Sequence, residues 1–126
     1  MLSVTANLKV DNVKETLEFY KEVLGFEVVV TVPEYDQPVL NWGMVKNNGA
    51  ELMFQEKSSL EEEYPVLKSN GGVGGLSLFF KVEDIGSTFE KIKGKATVIK
   101  EIHTTFYDTK EFAILDNNGF VLTIAE

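Results

Sequence analysis

Apolar and polar positions alternate from Val4 to Val10. Val4, Ala6, Leu8 and Val10 face one way and Thr5, Asn7 and Lys9 the other, which predicts a strand. The spacing then changes to that of a helix, with Val13, Leu17, Tyr20 and Leu24 on one stripe and Lys14, Glu18, Lys21 and Glu22 mostly opposite. Asn12, with Glu15 three residues on, is a candidate N-cap, and Gly25 a candidate terminator. Three further strands are predicted at Phe26–Val32, Val39–Lys46 and Ala50–Gln55, the last two joined by the hairpin signal Asn47-Asn48-Gly49. The second half repeats the order. A strand over Leu76–Val82 precedes a helix over Ile85–Ile92 stopped by Gly94. Strands follow near Thr97–His103, Glu111–Leu115 and Phe120–Ala125, with Asn117-Asn118-Gly119 as the final turn.

Residue identities support two copies of one pattern. Lys9 and Lys81, Val10 and Val82, Val13 and Ile85, Thr16 and Thr88, and Glu18 and Glu90 all share one offset, and the two Asn-Asn-Gly turns share nearly the same one. The fold class is therefore α+β: two β-α-β-β-β modules forming curved mixed sheets around a trough, within a single domain. Module 1 covers about residues 1–56, a linker residues 57–75, and module 2 about residues 76–126. Each module, at about 55 residues, is small for a core of its own, so the two are expected to share one. In the linker, Ser59 followed by Glu62 is a candidate start for a short helix limited by Pro65, and Glu61-Glu62-Glu63 reads as its solvated face. Asn70 to Gly75 reads as the most flexible stretch. It lacks the lysine and serine of a phosphate-binding loop.

Composition narrows the function classes. The net charge is −8, and all twelve basic residues are lysines. Without arginine, the chain lacks the planar fork suited to phosphates and guanine edges, which argues against nucleic-acid binding. The absence of cysteine excludes disulfides, thiolate metal sites and a cysteine nucleophile. No apolar run is long enough to span a bilayer, and Met1-Leu2-Ser3 leads into patterned sequence without a signal-peptide core, so a cytoplasmic address with no membrane partner is expected.

With the apolar strand positions turned to the helices, the other sheet face collects Thr5, Asn7, Glu51, Met53, Gln55, Ser77, Phe79, Val121 and Thr123. Solvated faces rarely gather Met53, Phe79 and Val121 together, so this face is the candidate ligand surface. Trp42, alternating with Leu40 and Met44, is a candidate for a cleft, for the core or for an interface. Phe54, Phe80, Phe112 and Phe120 are expected in the core. His103 has no visible catalytic partner. Glu51 is a weak candidate for a general base if it is buried near Phe54 and Phe79.

The stretch LKVDNVKETLEFYKEVLGFEV, with Phe19-Tyr20 and Leu24-Gly25-Phe26, resembles the vicinal oxygen chelate superfamily of glyoxalases, extradiol dioxygenases and bleomycin-resistance proteins. Val82-Glu83-Asp84-Ile85 and the segment from Glu111 to Phe120 carry the same resemblance, which spans nearly the whole chain. It implies paired β-α-β-β-β modules and, in the enzymes, a divalent metal held by His, Glu or Gln. The implied ligand positions fall on Thr5, on Glu51 or Met53, on Ser77 and on Thr123. Hydroxyls are poor ligands for such metals, so no metal and no cofactor are expected.

The resemblance then points to the metal-free, bleomycin-resistance-like branch: a homodimer that sequesters a cationic, partly aromatic small molecule. The ligand-binding residues it implies are Thr5, Asn7, Trp42, Glu51, Met53, Ser77, Phe79, Phe106, Tyr107 and Thr123. The chain departs from related sequences at Asp108, where they often carry glycine, and at Lys110, where they carry arginine. Two other readings stand beside this one. The first is a glyoxalase-like lyase, isomerase or dioxygenase with a non-standard metal site or with Glu51 as base. The second is a catalytically silent dimeric scaffold. The modules pair either within one chain or by exchange between two.

Overall fold

The computed structural model describes residues 3–69 and 76–126. Met1, Leu2 and the glycine-rich stretch Asn70–Gly75 lie outside the described residues. The chain divides into two compact units, residues 1–72 and 73–126.

The first unit runs β1 (Ala6–Val10), α1 (Val13–Glu22), β2 (Glu27–Val32), β3 (Trp42–Asn47), β4 (Ala50–Glu56) and α2 (Lys57–Glu63), followed by a 3-10 turn at Pro65–Ser69. Its sheet has the order β1-β4-β3-β2, with β1 parallel to β4 and the remaining pairs antiparallel. The first strand is shorter than its alternation predicts, since Val4 is 96% exposed and precedes it. Asn12 caps α1 as expected, accepting a 3.0 Å bond from the Glu15 amide, and Gly25 leaves the helix at φ +71°. One stripe of α1 buries Val13, Leu17 and Tyr20 against the sheet, and the Tyr20 ring lies 4.7 Å from Phe54 and 5.6 Å from Phe26. Burial of each such large side chain stabilises the fold by about 1.5–3 kcal/mol.

The starts of β3 and α2 also differ from their predicted positions. β3 begins at Trp42 rather than Val39: Pro38 has no N–H to donate to a ladder, Val39 is exposed, and Asn41 donates to the Val32 carbonyl at 2.8 Å just before the strand starts. Helix α2 begins two residues before Ser59. Its N-cap is Glu56, whose carboxylate accepts from the Ser59 amide at 3.0 Å.

The second unit runs β5 (Ser77–Lys81), α3 (Ile85–Ile92), β6 (Thr97–Thr104), β7 (Lys110–Leu115) and β8 (Val121–Ala125). The order is β5-β8-β7-β6, again with the outer pair β5 and β8 parallel. Both units therefore carry a four-stranded mixed sheet with the β-α-β-β-β order that the repeat predicts. Asp84 caps α3 through the Ser87 amide at 2.9 Å, as Asn12 caps α1. Phe89 of α3 packs on Phe112 with ring centroids 5.1 Å apart, over a core of Ile114, Leu122 and Ile124. In the last turn, Asp116 Oδ1 accepts from the amides of Asn118 at 2.8 Å and Phe120 at 2.9 Å, while Gly119 supplies a φ of +87°. Phe54, Phe112 and Phe120 are buried as expected, and Phe80 is half-buried. Among the described residues no helix is long and apolar enough to cross a membrane.

Candidate functional site

Register fixes which side chains share the sheet face turned away from the helix, because directly opposed residues point the same way. In the first unit one row runs Asn7, Met53, Met44, Val30, and the next Lys9, Gln55, Trp42, Val32. Trp42, Met44 and Met53 are all half-buried, so this face presents apolar and sulfur-bearing surface beside amides. Thr5 is half-buried and lies just before β1.

Glu51 sits in the adjoining row opposite Lys46, and the two form an ion pair at 3.4 Å. Phe54 lies on the helix side, opposite Leu8 and Gly43, so it does not enclose the Glu51 carboxylate. The expectation of a carboxylate buried against Phe54 is therefore corrected: Glu51 is half-exposed and its charge is already partnered.

The polar part of this face is tied to α2. Gln55, only 7% exposed, accepts from Asn7 Nδ2 at 2.8 Å and donates through Nε2 to Ser59 Oγ at 3.1 Å and Glu63 Oε2 at 3.0 Å. Lys9 Nζ bonds to Glu61 Oε1 and to the Leu67 carbonyl, both at 3.0 Å. Glu61 and Glu63 therefore do not form a simple solvated face. They tether α2 to β1 and β4.

In the second unit the corresponding rows are Ser77, Val121, Leu115, Thr97, then Phe79, Thr123, Ala113, Lys100, then Lys81, Ala125, Glu111, His103. Phe79 is 55% exposed on this face. The β6–β7 loop folds back beside the last row. Thr105 and Thr109 pair through their hydroxyls at 2.8 Å, and Thr105 N donates to the Thr109 carbonyl at 2.8 Å. Asp108 sits at φ +68°, in the left-handed region that glycine adopts freely and that aspartate tolerates. The loop delivers the Tyr107 hydroxyl and Thr109 Oγ1 to the same oxygen of Glu111, Oε1, each at 3.0 Å. The bond to Glu111 holds the Tyr107 phenol above its ordinary pKa. Phe106, 99% exposed, packs edge-on against Tyr107 at 4.8 Å. His103 stands opposite Glu111, with Nδ1 at 2.9 Å from the Glu101 carbonyl oxygen.

Glu111 is absent from the set of residues that the sequence suggests. Its only signal is the run Thr105-Phe106-Tyr107-Asp108-Thr109, which places three hydroxyl-bearing side chains in the five residues before β7. Along β2, a groove of about 590 Å³ is lined by Lys21, Phe26, Val30, Glu34 and Tyr35, none of which the sequence reading selected.

The positions that the resemblance assigns to a metal carry donors that suit one poorly. Thr5, Ser77 and Thr123 offer hydroxyls, Glu51 is paired with Lys46, and among the described residues no group of three His, Cys, Asp or Glu could hold a metal ion.

The family model described as Glyoxalase/Bleomycin resistance protein/Dioxygenase superfamily matches residues 3–124. The chain belongs to this superfamily. No curated protein matches it in sequence. Among solved structures it is similar to TioX from Micromonospora sp. ML1, at 13% identity and a TM-score of 0.78, covering 97% of this chain and 95% of TioX. It is also similar to a protein of unknown function from Agrobacterium tumefaciens str. C58, at 20% identity and a TM-score of 0.80, covering 100% and 94%. A glyoxalase/bleomycin resistance protein/dioxygenase family enzyme from Burkholderia phytofirmans PsJN matches at 19% identity and a TM-score of 0.77, covering 96% and 94%. At these identities the likeness shows the superfamily's fold, and function has to be argued from this chain's own side chains.

Proposed function

We propose that the chain is a metal-independent small-molecule-binding member of this superfamily, and that its ligand is a cationic aromatic compound. The observation that carries this reading is Phe79, more than half exposed on the sheet face turned away from α3. In the first unit, Trp42, Met44 and Met53 occupy the equivalent face, away from α1. Aromatic rings and thioethers offer stacking surface to a planar ligand, and the net charge of −8 favours a cation. The metal positions that the resemblance implies carry hydroxyls at Thr5, Ser77 and Thr123 and fall otherwise on the ion-paired Glu51 or on Met53, which supports binding without a metal.

The test is a titration of chelator-treated protein with a bleomycin-type compound and a panel of cationic aromatics, following Trp42 fluorescence and confirming hits by calorimetry. Saturable binding in the absence of metal is the expected result. A flat calorimetric response across the panel, or binding that appears only when a divalent metal is restored, overturns the proposal. A homodimer belongs to the same reading, because the edge strands β2 and β6 carry exposed Val30, Val32, Ile99 and Ile102 that a second copy would cover. Sedimentation giving a monomer mass at high protein concentration removes that part.

A further inference from the structure

We propose that Glu111 is the charge anchor for this ligand, with one carboxylate oxygen accepting hydrogen bonds from a cationic nitrogen, an ammonium or an amidinium. The inference rests on the binding function above and identifies the chemical group that the second unit recognises.

Three observations converge on Glu111. It is only 6% exposed and lies on the sheet face turned away from α3, between Ala125 and His103. Its two side-chain hydrogen bonds, from Tyr107 and Thr109, both end on Oε1. Oε2 has no hydrogen-bond partner among the described residues, and no buried side-chain nitrogen or oxygen among them is left unsatisfied, so Oε2 is the oxygen that remains open. A carboxylate has about four acceptor sites, and both hydroxyl bonds are made to Oε1.

The electrostatics point the same way. Glu111 forms no ion pair among the described residues, although Lys81 and Lys100 lie on the same sheet face. Holding a carboxylate largely out of water without a cationic partner is unfavourable, and an incoming ammonium or amidinium supplies that partner. The anchor is also preorganised. The Thr105–Thr109 hydroxyl pair fixes the loop, and the loop fixes Oε1, so little ordering remains when a ligand binds. Tyr107 reaches the carboxylate through its hydroxyl, and the exposed Phe106 packs on the Tyr107 ring, so charge and aromatic surface occur on one loop for an aryl cation.

A purely structural role makes a different prediction. If Glu111 only staples the β6–β7 loop, Oε1 is the sole atom required and a glutamine carbonyl can replace it. The negative charge and the open oxygen matter only if something binds there.

The experiment compares benzamidinium with benzamide, a neutral molecule of nearly the same shape, by NMR titration of the intact wild-type chain. Benzamidinium is expected to perturb the amide signals of Phe106, Tyr107 and Glu111 and to bind at least about tenfold more tightly than benzamide, the range for a charge-assisted bond over a neutral one. Glu111→Gln, which keeps an oxygen acceptor for the loop, is expected to abolish that preference while the Thr105 and Thr109 amide signals stay in place. Equal binding of the two probes to the wild type, or no binding of benzamidinium, overturns the anchor. So does a Glu111→Gln variant that retains the preference, or perturbation confined to other surfaces. If Glu111→Gln fails to fold, the wild-type comparison still decides. A panel of aromatic cations that binds while benzamidinium shows no preference removes the anchor and leaves the binding function standing. A panel that fails as a whole removes both.

Discussion

The Tyr107 hydroxyl donates to Glu111 Oε1 at 3.0 Å, closing a loop that is also cinched by the Thr105–Thr109 hydroxyl pair. Because the bond requires the protonated phenol, the carboxylate holds the Tyr107 pKa above its ordinary value. The folded value thus exceeds the unfolded one. The resulting stability is fully present below the unfolded phenol pKa and is lost as pH rises through the folded one.

Phenolate absorbance therefore checks this bond directly. With the Tyr107→Phe titration subtracted, the wild-type Tyr107 signal should titrate at higher pH than that of Glu111→Gln, which lacks the negative charge. Coincident curves would show that the bond does not persist in solution.

Glu56 gives the opposite sign. Burial pushes its carboxyl up, but the backbone N–H groups of Ser58 and Ser59, with the Ser58 hydroxyl and the Lys57 charge, outweigh it and hold the pKa below the ordinary carboxylate value. Here the folded value lies below the unfolded one. The cap's contribution is present above the unfolded pKa and is lost as pH falls through the folded one. Amide exchange in α2 should accelerate over that acid range in the wild type, and Glu56→Gln should flatten the dependence. Equal pH profiles in the two proteins would remove Glu56 from the start of the helix.

The two caps offer a paired test. Asn12 and Asp84 accept from Glu15 and Ser87 at 3.0 and 2.9 Å, at equivalent points of the internal repeat. Replacing either by alanine should lower stability by about 0.5–2 kcal/mol, measured as a lower urea midpoint at unchanged slope. A changed slope would mean that the substitution alters how much surface unfolds rather than the cap alone.

These caps also show why so much of the fold is legible in the sequence. Asn12 and Asp84 act within three residues, and the alternation of β4 or the stripe of α1 needs only its own segment to be read. Helix α3 accordingly has the bounds its spacing predicts. The cap of α2 lies three residues before the one its sequence suggests, because Ser59 and Glu62 imitate a capping pair while the bond that forms runs back to Glu56. Glu61 and Glu63 look like a solvated run until β1 and β4 bring Lys9 and Gln55 to them across 52 and 8 positions.

Glu111 was illegible for a related reason. At the head of the run Glu111-Phe112-Ala113-Ile114-Leu115 it reads as the polar edge of a strand. Its burial depends on a loop turning back through Asp108 in the left-handed region, a conformation that aspartate tolerates without announcing. The open-face positions Asn7, Met53, Phe79 and Thr123 needed only strand alternation, and the register sets Asn7 opposite Met53 and Phe79 opposite Thr123.

Helix α1 packs closely on its sheet at Gly43. A Cβ there would lie 2.7 Å from Leu17 Cδ1 and 3.1 Å from Cδ2, and Leu17 is fully buried. Gly43→Ala should therefore destabilise the chain by about 1–3 kcal/mol, the usual range for overpacking a core. Shortening the opposing side chain with Leu17→Val relieves the clash at the expense of a small cavity, so the double variant should lose less than the sum of the two single losses. Denaturant midpoints for the four proteins of this cycle measure the coupling. Strict additivity would mean that α1 shifts to admit the methyl group, and that the contact of Gly43 with Leu17 does not set the distance between helix and sheet.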